Sequence, residues 1–521
     1  MGEPTDTVWA QRSALVLGAG ESGLACAEWL ARLGAKVRLA DSRPLAGVSP
    51  PPGVDAEFGL GHPMPERLLS ACDVLVLSPG LSPHPDRVHS VSHLVEVAHA
   101  RDIPILGELD LFEEALQSLG SGAYGSPTRE SDEPELALAR PAVLAVTGTN
   151  GKTTTVKLTA HLLGSVGLDV QIAGNVSPSM LRALMDRLDA RRLPQVWVLE
   201  LSSFQLASAL RFTPTASVIL NLTEDHLDWH RSMEDYRASK LRVYGLPLPV
   251  GLALVCRDDA QLEAAVRAHL ARHSQRPVET ISFGLSPCRE SELGFGLYAD
   301  GLEWMVRQMP TGDADPSAQQ SRLTRLMPSA AMRLQGRHNL LNAMAALGLA
   351  QAVTDDLAGM LHGLRTYLGE PHRLQSIAAA DGIEFVDDSK GTNVGATVAA
   401  LEGDAAPVAI IVGGDGKGQS FAPLFEALQR RNAIVVGIGR DGPLIVEGAR
   451  QRGLHAEMAE DMAGAVSIGF AALRARVGEG RGQLLLSPAC ASLDMFQNYA
   501  HRAAVFAQAV SELLEREGVQ A

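Results

Sequence analysis

An α/β protein of three domains is predicted by three observations: apolar runs alternating with helical segments, two glycine-rich turns that each end such a run, and a length of 521 residues. The expected domains are a Rossmann-like N-terminal domain, a central P-loop ATPase-like domain on a parallel sheet, and a Rossmann-like C-terminal domain. Composition shifts place them at 1–118, 140–368 and 369–521, with a polar linker or insertion at 119–139. At 46% hydrophobic and 20% charged residues, the composition is ordinary for a soluble protein with well-filled cores. A net charge of −15 disfavours general nucleic-acid binding and requires any anionic substrate to meet locally basic pockets. The five cysteines are scattered without a C-x-x-C pair, which points to reduced thiols in a cytoplasmic protein rather than disulfides or zinc. The first residues lack the apolar core of a secretory signal, and no uninterrupted apolar stretch reaches about 18 residues, so no membrane insertion is expected.

In the first domain, strand Ser13–Leu17 leads through a glycine turn into a helix at Ser22–Leu33 and a strand at Lys36–Ala40. Strand-like runs follow at Val74–Leu77 and Ile103–Leu106. The turn Gly18-Ala19-Gly20-Glu21-Ser22-Gly23 has the G-x-G-x-x-G spacing, with Asp41 at the end of the second strand. Physically, this lets a diphosphate approach a helix N-terminus while Asp41 or Ser42 meets a ribose or base and Arg43 a phosphate. Tight helix–strand packing without a ligand would use the same glycines. Ser78-Pro79-Gly80 ends another strand on the same sheet edge and favours a bound ligand.

The second domain opens with the apolar run Val143–Thr147 and the turn Gly148-Thr149-Asn150-Gly151-Lys152-Thr153-Thr154. A glycine-rich turn between strand and helix collects backbone N–H groups around phosphate, with Lys152 supplying charge and the Thr153 hydroxyl reaching Mg²⁺. The loop is shorter than G-x-x-x-x-G-K-[ST], because Val146 stands at the first glycine position. Further strands are expected at Val196–Leu201, Ser217–Leu222 and Leu252–Cys256. Glu200, at the C-terminal end of a strand, is placed to hold Mg²⁺, unless it is a plain surface carboxylate. His226, within Thr223-Glu224-Asp225-His226-Leu227-Asp228, reads as a metal ligand, a base or an exposed loop residue. By composition alone Lys240 reads as a helical surface lysine. Residues 286–330 are polar and read as irregular hairpins or loops, before a helix at Asn339–Val353. The third domain has strands near Glu384–Val386, Ala409–Val412, Ile434–Gly437 and Leu484–Leu486.

Several spaced blocks together resemble the Mur ligases, the ATP-dependent amide-forming enzymes of cytoplasmic peptidoglycan precursor assembly. They are G-T-N-G-K-T-T, E-L-S-S-F-Q from Glu200, T-E-D-H-L-D from Thr223, Ser239-Lys240, and Gly336-Arg337-His338-Asn339-Leu340-Leu341-Asn342. The third domain adds Pro371-His372-Arg373, Asp387-Asp388-Ser389-Lys390-Gly391-Thr392-Asn393, Gly413-Gly414-Asp415-Gly416-Lys417 and Ser487-Pro488-Ala489-Cys490-Ala491-Ser492-Leu493-Asp494. The D-S-K-x-T-N and S-P-A-C-A-S-L-D pair looks like the branch that adds D-glutamate to UDP-N-acetylmuramoyl-L-alanine. The resemblance runs from about residue 13 to 510, with 119–139 and 286–330 as insertions.

The resemblance implies a role for each matching position. Gly18, Glu21, Ser22, Asp41, Ser42, Arg43 and Ser78 would serve the UDP of the acceptor rather than NAD. Gly148 to Thr154, Asn175, His338, Asn339, Asn342, Arg373 and Asp388 would hold ATP. Thr153, Glu200, His226 and Lys240 would surround Mg²⁺ at two sites, Lys240 as a carbamate, since hard Mg²⁺ takes oxygen donors and repels an ammonium. Lys390, Thr392, Lys417, Ser492, Leu493 and Tyr499 would form the amino-acid pocket, Tyr499 standing where phenylalanine is usual. Lys152, Glu200, His226, Lys240 and Lys390 would carry catalysis through an acyl phosphate, in a monomer acting on small molecules. Other readings stand beside this one: a ligase of the same superfamily adding another amino acid (folate-type polyglutamate synthases included), an NAD-dependent oxidoreductase, or a nucleotide-regulated binding protein.

Overall fold

The computed structural model describes residues 8–87, 89–120, 140–247, 249–274, 276–289, 293–310, 321–334, 336–402, 406–478 and 480–518. The expected linker therefore lies outside the described residues from 121 to 139, apart from its first two positions, which end helix Glu108–Gly120. The chain divides into two compact units, one of Met1–Leu222, Asp228–Ala331 and Leu341–Thr366, the other of Thr223–Leu227, Met332–Leu340 and Tyr367–Ala521.

The first unit holds two sheets. One has five parallel strands in the order Val54–Phe58, Lys36–Asp41, Ser13–Leu17, Val74–Leu77, Ile105–Leu106. Strand order reverses at Ser13–Leu17, so the crevice at its C-terminal end is the natural place for a ligand in a doubly wound sheet. The other has nine strands, with Ala142–Thr147 between Ala216–Ile219 and Val196–Glu200, and Val170–Gly174 at one edge. Its central strands are apolar throughout because both faces are covered: every residue of Val196–Glu200 is buried.

Of the hairpins or loops expected over 286–330, the described residues form hairpins. Gly294–Asp300, Leu302–Pro310 and Ser321–Pro328 form an antiparallel extension of the nine-stranded sheet. Phe295, Leu297, Met305, Val306 and Met327 are buried within it, while Tyr298, Leu302 and Leu323 remain exposed. Polar residues interleaved among these apolar ones masked the strand pattern in the sequence.

The second unit carries a six-stranded sheet in the order Gln375–Ala380, Ile383–Asp387, Gly482–Leu486, Val408–Gly413, Ile434–Ile438, Ala456–Met458. All its pairings are parallel except the hairpin of the first two strands. Phe385, Ile411 and Val436 pack on one face with Phe470 and Phe506 of two helices. Ile410, Val412 and Leu485 pack on the other with Leu424 and Ile445.

Candidate active site

The turn after strand Ala142–Thr147 runs into helix Lys152–Ser165. Gly148 and Gly151 take φ values of 151° and 82°, which side-chain-bearing residues rarely adopt. A Cβ on Gly151 would also lie 2.5 Å from Asn342 Oδ1. Asn221 braces the loop: its Oδ1 accepts from the Asn150 amide at 2.8 Å and its Nδ2 donates to the Asn150 carbonyl at 3.0 Å. Lys152 folds back, donating from Nζ to the carbonyls of Gly148 at 2.9 Å and Thr149 at 2.7 Å. Thr153 and Thr154 are buried at the helix start.

Glu200 stands at the same sheet edge, because its strand pairs in register with Val146 and Gly174. Its Oε1 accepts from Asn175 Nδ2 at 2.8 Å, while Oε2 is buried and has no hydrogen-bond partner among the described residues. An orphaned carboxylate oxygen in a buried position is costly unless a cation or donor meets it. Lys240 corrects the reading from composition, for it is buried rather than on the surface. Helix Met233–Leu241 turns it inward, where Nζ donates to the Gly148 carbonyl at 2.9 Å and lies 4.6 Å from the centroid of the Tyr236 ring. Tyr236 in turn shares a hydrogen bond with Thr149 Oγ1 at 3.0 Å. The donor set around Glu200 and Thr153 fits Mg²⁺, which keeps several waters and phosphate oxygens of its own. No group of three His, Cys, Asp or Glu side chains among the described residues could cage a metal.

In the five-stranded sheet, Gly18 has φ 90° and its carbonyl accepts from Ser78 Oγ at 2.8 Å. Burial opposes ionisation of Asp41, but the Arg43 side chain and the Ala19 and Arg43 amides outweigh it and hold the carboxyl at about 2. The Ser42 carbonyl accepts from the Gly61 amide at 2.9 Å. Glu21 is turned toward the neighbouring sheet, where its Oε1 accepts from Ser177 Oγ at 2.9 Å and the Ser179 amide at 2.8 Å. Glu108 Oε1 accepts from the Leu181 amide at 2.9 Å, so two carboxylates cap helix Met180–Asp189. Burial raises the Glu108 pKa despite the Leu181 amide and the Ser22 hydroxyl beside it. Arg32–Asp189 and Arg182–Glu28 ion pairs, at 2.8 Å and 2.9 Å, continue the seam.

In the second unit, Lys390 follows strand Ile383–Asp387, and its Nζ lies 5.3 Å from the centroid of the Tyr499 ring. Buried Asp388 accepts from Ser487 Oγ at 2.7 Å; burial lifts its pKa to about 7, against the pull of Ser487 and Arg373. Burial and then Arg373 push His338 down to about 4, so it is neutral at physiological pH. The Asn339 side chain is buried close by in the chain. The loop bearing Lys417 and the loop bearing Ser492 join through Asp415 and Ala491, which exchange backbone hydrogen bonds at 3.0 Å and 2.9 Å. Ser492 is buried, whereas Leu493 and Lys417 are exposed, and Thr392 is half-buried. His226, with φ 57°, has its Nε2 3.6 Å from Asp225 Oδ2. Reading the sequence missed Asn221, Tyr236 and Arg502; Asn221 had a signal, as it falls where a strand of the phosphate-loop sheet ends.

Residues 12–106 match the Mur ligase MurD-like N-terminal domain and residues 146–350 the Mur ligase middle domain. A UDP-N-acetylmuramoylalanine–D-glutamate ligase of Burkholderia thailandensis is 44% identical over 521 aligned residues, 97% of each chain. Among solved structures, MurF of Acinetobacter baumannii superposes with a TM-score of 0.55 at 18% identity, covering 96% of this chain and 90% of that one. The UDP-N-acetylmuramate-alanine ligase MurC of Thermotoga maritima does so with a TM-score of 0.51 at 16% identity, covering 96% and 99%. Those two share the fold; the full-length relationship goes further, and the chain belongs to the UDP-N-acetylmuramoylalanine–D-glutamate ligase family of Mur ligases.

Proposed function

We infer that the protein is an ATP-dependent ligase joining D-glutamate to UDP-N-acetylmuramoyl-L-alanine, with release of ADP and phosphate, in the synthesis of peptidoglycan precursors. The observation that carries the residue-level reading is the convergence at one sheet edge of the phosphate loop, the unpaired Glu200 oxygen and buried Lys240. A carboxylate is a poor acyl donor, and transfer of the γ-phosphoryl group of ATP turns it into an acyl phosphate with a good leaving group. Loop amides from Gly148 to Thr154 and Lys152 neutralise the phosphoryl oxygens during that transfer. Glu200 and Thr153 would hold Mg²⁺, which would supply electrostatic stabilisation of the same charge. By the family resemblance Lys240, as a carbamate, would serve a second Mg²⁺, a role the resemblance also gives His226. Asn175 orients Glu200, and Asn342 lies against the phosphate loop; by the family resemblance His338, Asn339, Arg373 and Asp388 would also serve ATP.

The glycine turn with Asp41, Ser42, Arg43 and Ser78 binds the UDP end of the acceptor. Lys390, Lys417, Thr392, Ser492, Leu493 and Tyr499 receive the amino acid, the two lysines pairing with its carboxylates through charge-assisted hydrogen bonds. On this reading 1–118, 140–368 and 369–521 are the acceptor, ATP and amino-acid domains of a monomer. A cytoplasmic location follows from its ATP and nucleotide-linked substrates. None of the described helices is long and apolar enough to cross a membrane. Phosphate release from ATP and UDP-N-acetylmuramoyl-L-alanine should be measured with D-glutamate, L-glutamate, meso-diaminopimelate and L-lysine. Release with D-glutamate alone supports the reading; release with another amino acid moves the reaction to a different ligase step.

A further inference from the structure

His372 belongs to the second unit and takes a left-handed backbone conformation, φ 63°. Its Nδ1 lies 2.7 Å from Asp387 Oδ2. Asp387 ends strand Ile383–Asp387 and is buried; its Oδ1 accepts from the Ser389 amide at 2.9 Å, which fixes the carboxylate on both oxygens. The backbone closes the same loop, with the Lys390 amide donating to the His372 carbonyl at 3.2 Å. In front, the imidazole meets the Tyr499 ring edge-on, centroids 6.2 Å apart and planes at 70°. That same ring carries Lys390 Nζ. The His372 side chain is 30% exposed and that of Asp387 only 4%, so a wet imidazole is backed by a dry carboxylate.

Such a pair sets the tautomer. Asp387 accepts a hydrogen bond from Nδ1–H, which leaves the Nε2 lone pair available to take a proton. Nε2 makes no hydrogen bond to a described residue. Charged neighbours of the pair include Lys390, Arg373 next in the chain, Asp388 beside Asp387, and Arg502, which interacts with Asp387. The reaction needs such a base, because an amino acid arrives as an ammonium with no lone pair.

We propose that His372, oriented by Asp387, is the general base that takes a proton from the α-ammonium group of the incoming amino acid. The proton passes to Nε2, and the freed lone pair forms the C–N bond to the acyl-phosphate carbon. The carbon–oxygen bond to phosphate then breaks, phosphate leaving with the bonding pair. The second amine proton departs with phosphate, and His372 returns its proton to solvent. This assignment rests on the reading of Lys390 and Tyr499 as part of the amino-acid pocket.

The test compares two nucleophiles on the full-length enzyme with ATP and UDP-N-acetylmuramoyl-L-alanine. D-glutamate needs a base; hydroxylamine is neutral at neutral pH and does not. His372→Asn keeps a donor for Asp387 and removes the base. It should lower kcat with D-glutamate by about 10²–10⁴-fold, change KM for D-glutamate little, and leave hydroxamate formation intact. The D-glutamate rate of the variant should climb with pH as the amine deprotonates in solution. Asp387→Asn should show the same selectivity between nucleophiles with a smaller loss. Equal rates for variant and wild type with D-glutamate, or an equal fall with both nucleophiles, would overturn the assignment alone. Absence of hydroxamate with the wild-type enzyme would instead overturn the ligase reading beneath it.

Discussion

Arg502 Nε donates to Ser389 Oγ at 3.0 Å, across 113 positions of the chain. The same guanidinium reaches the carbonyls of Ser389 at 2.8 Å and Cys490 at 3.1 Å. Burial lowers its pKa to about 10, so it stays charged at neutral pH. It therefore clamps the turn before Lys390 to the loop before Ser492.

Arg502→Ala leaves two buried carbonyls without a partner and should destabilise the protein by about 3 kcal/mol. Urea denaturation would measure this, alongside a rise in KM for D-glutamate of about tenfold. Arg502→Lys should recover part of the loss only, since an ammonium cannot reproduce the planar fork. Alanine as stable as wild type would show that the guanidinium holds no such clamp.

Gly151→Ala meets two obstacles at once, a φ of 82° and Asn342 Oδ1 within 2.5 Å of the new methyl group. The loop must shift, by strain of about 1–3 kcal/mol. ATP affinity should fall by about tenfold or more, read by titration with a fluorescent ATP analogue. Asn342→Ala alone should not restore it, because the backbone strain persists.

Lys152→Ala removes the loop's charge and should cut kcat by about 10³-fold, with acceptor binding preserved. A variant that turns over normally would show that the loop is not the phosphate site. Lys240→Ala should also cost about 10²–10³-fold. Intact-mass analysis at rising bicarbonate concentration would show whether the wild-type side chain carries the additional carboxyl group.

Asp388 has a pKa of about 7 against an ordinary 3.8, caused first by burial. The fold favours its neutral form, so this contribution to stability is intact below about pH 4 and lost as pH rises through 7. His338 acts in the opposite direction, since its lowered pKa costs stability as pH falls from 6.5 toward 4. Asp388→Asn should therefore gain on the order of 2 kcal/mol over wild type at pH 8 relative to pH 5, in paired thermal melts. The same variant should bind ATP less well. A constant gap between the two proteins across that range would refute the shift.

Buried parallel strands were legible. Ser13–Leu17, Val74–Leu77 and Leu252–Cys256 lie where the sequence places them, because covered faces leave continuous apolar runs. Val54–Phe58, Val170–Gly174 and Ala456–Met458 escaped notice, each an edge strand with polar or half-exposed positions. The phosphate loop was legible because its residues are contiguous. Lys240 was not, since its helix is polar and its burial comes from Tyr236 and the Gly148 carbonyl, brought near by folding. Arg502 was hidden for the same reason, as nothing local distinguishes it from other helical arginines.

The capping of helix Met180–Asp189 by Glu21 and Glu108 binds the first two sheets through side chains, not only through the covalent chain. Severing the backbone between residues 120 and 140 should therefore leave two pieces that co-purify. Each piece expressed separately would lack either the caps or the helix they close. The smallest fragment of the first unit that can be excised folded is thus the pair of sheets together, and gene fusions or truncations that part them should yield insoluble protein.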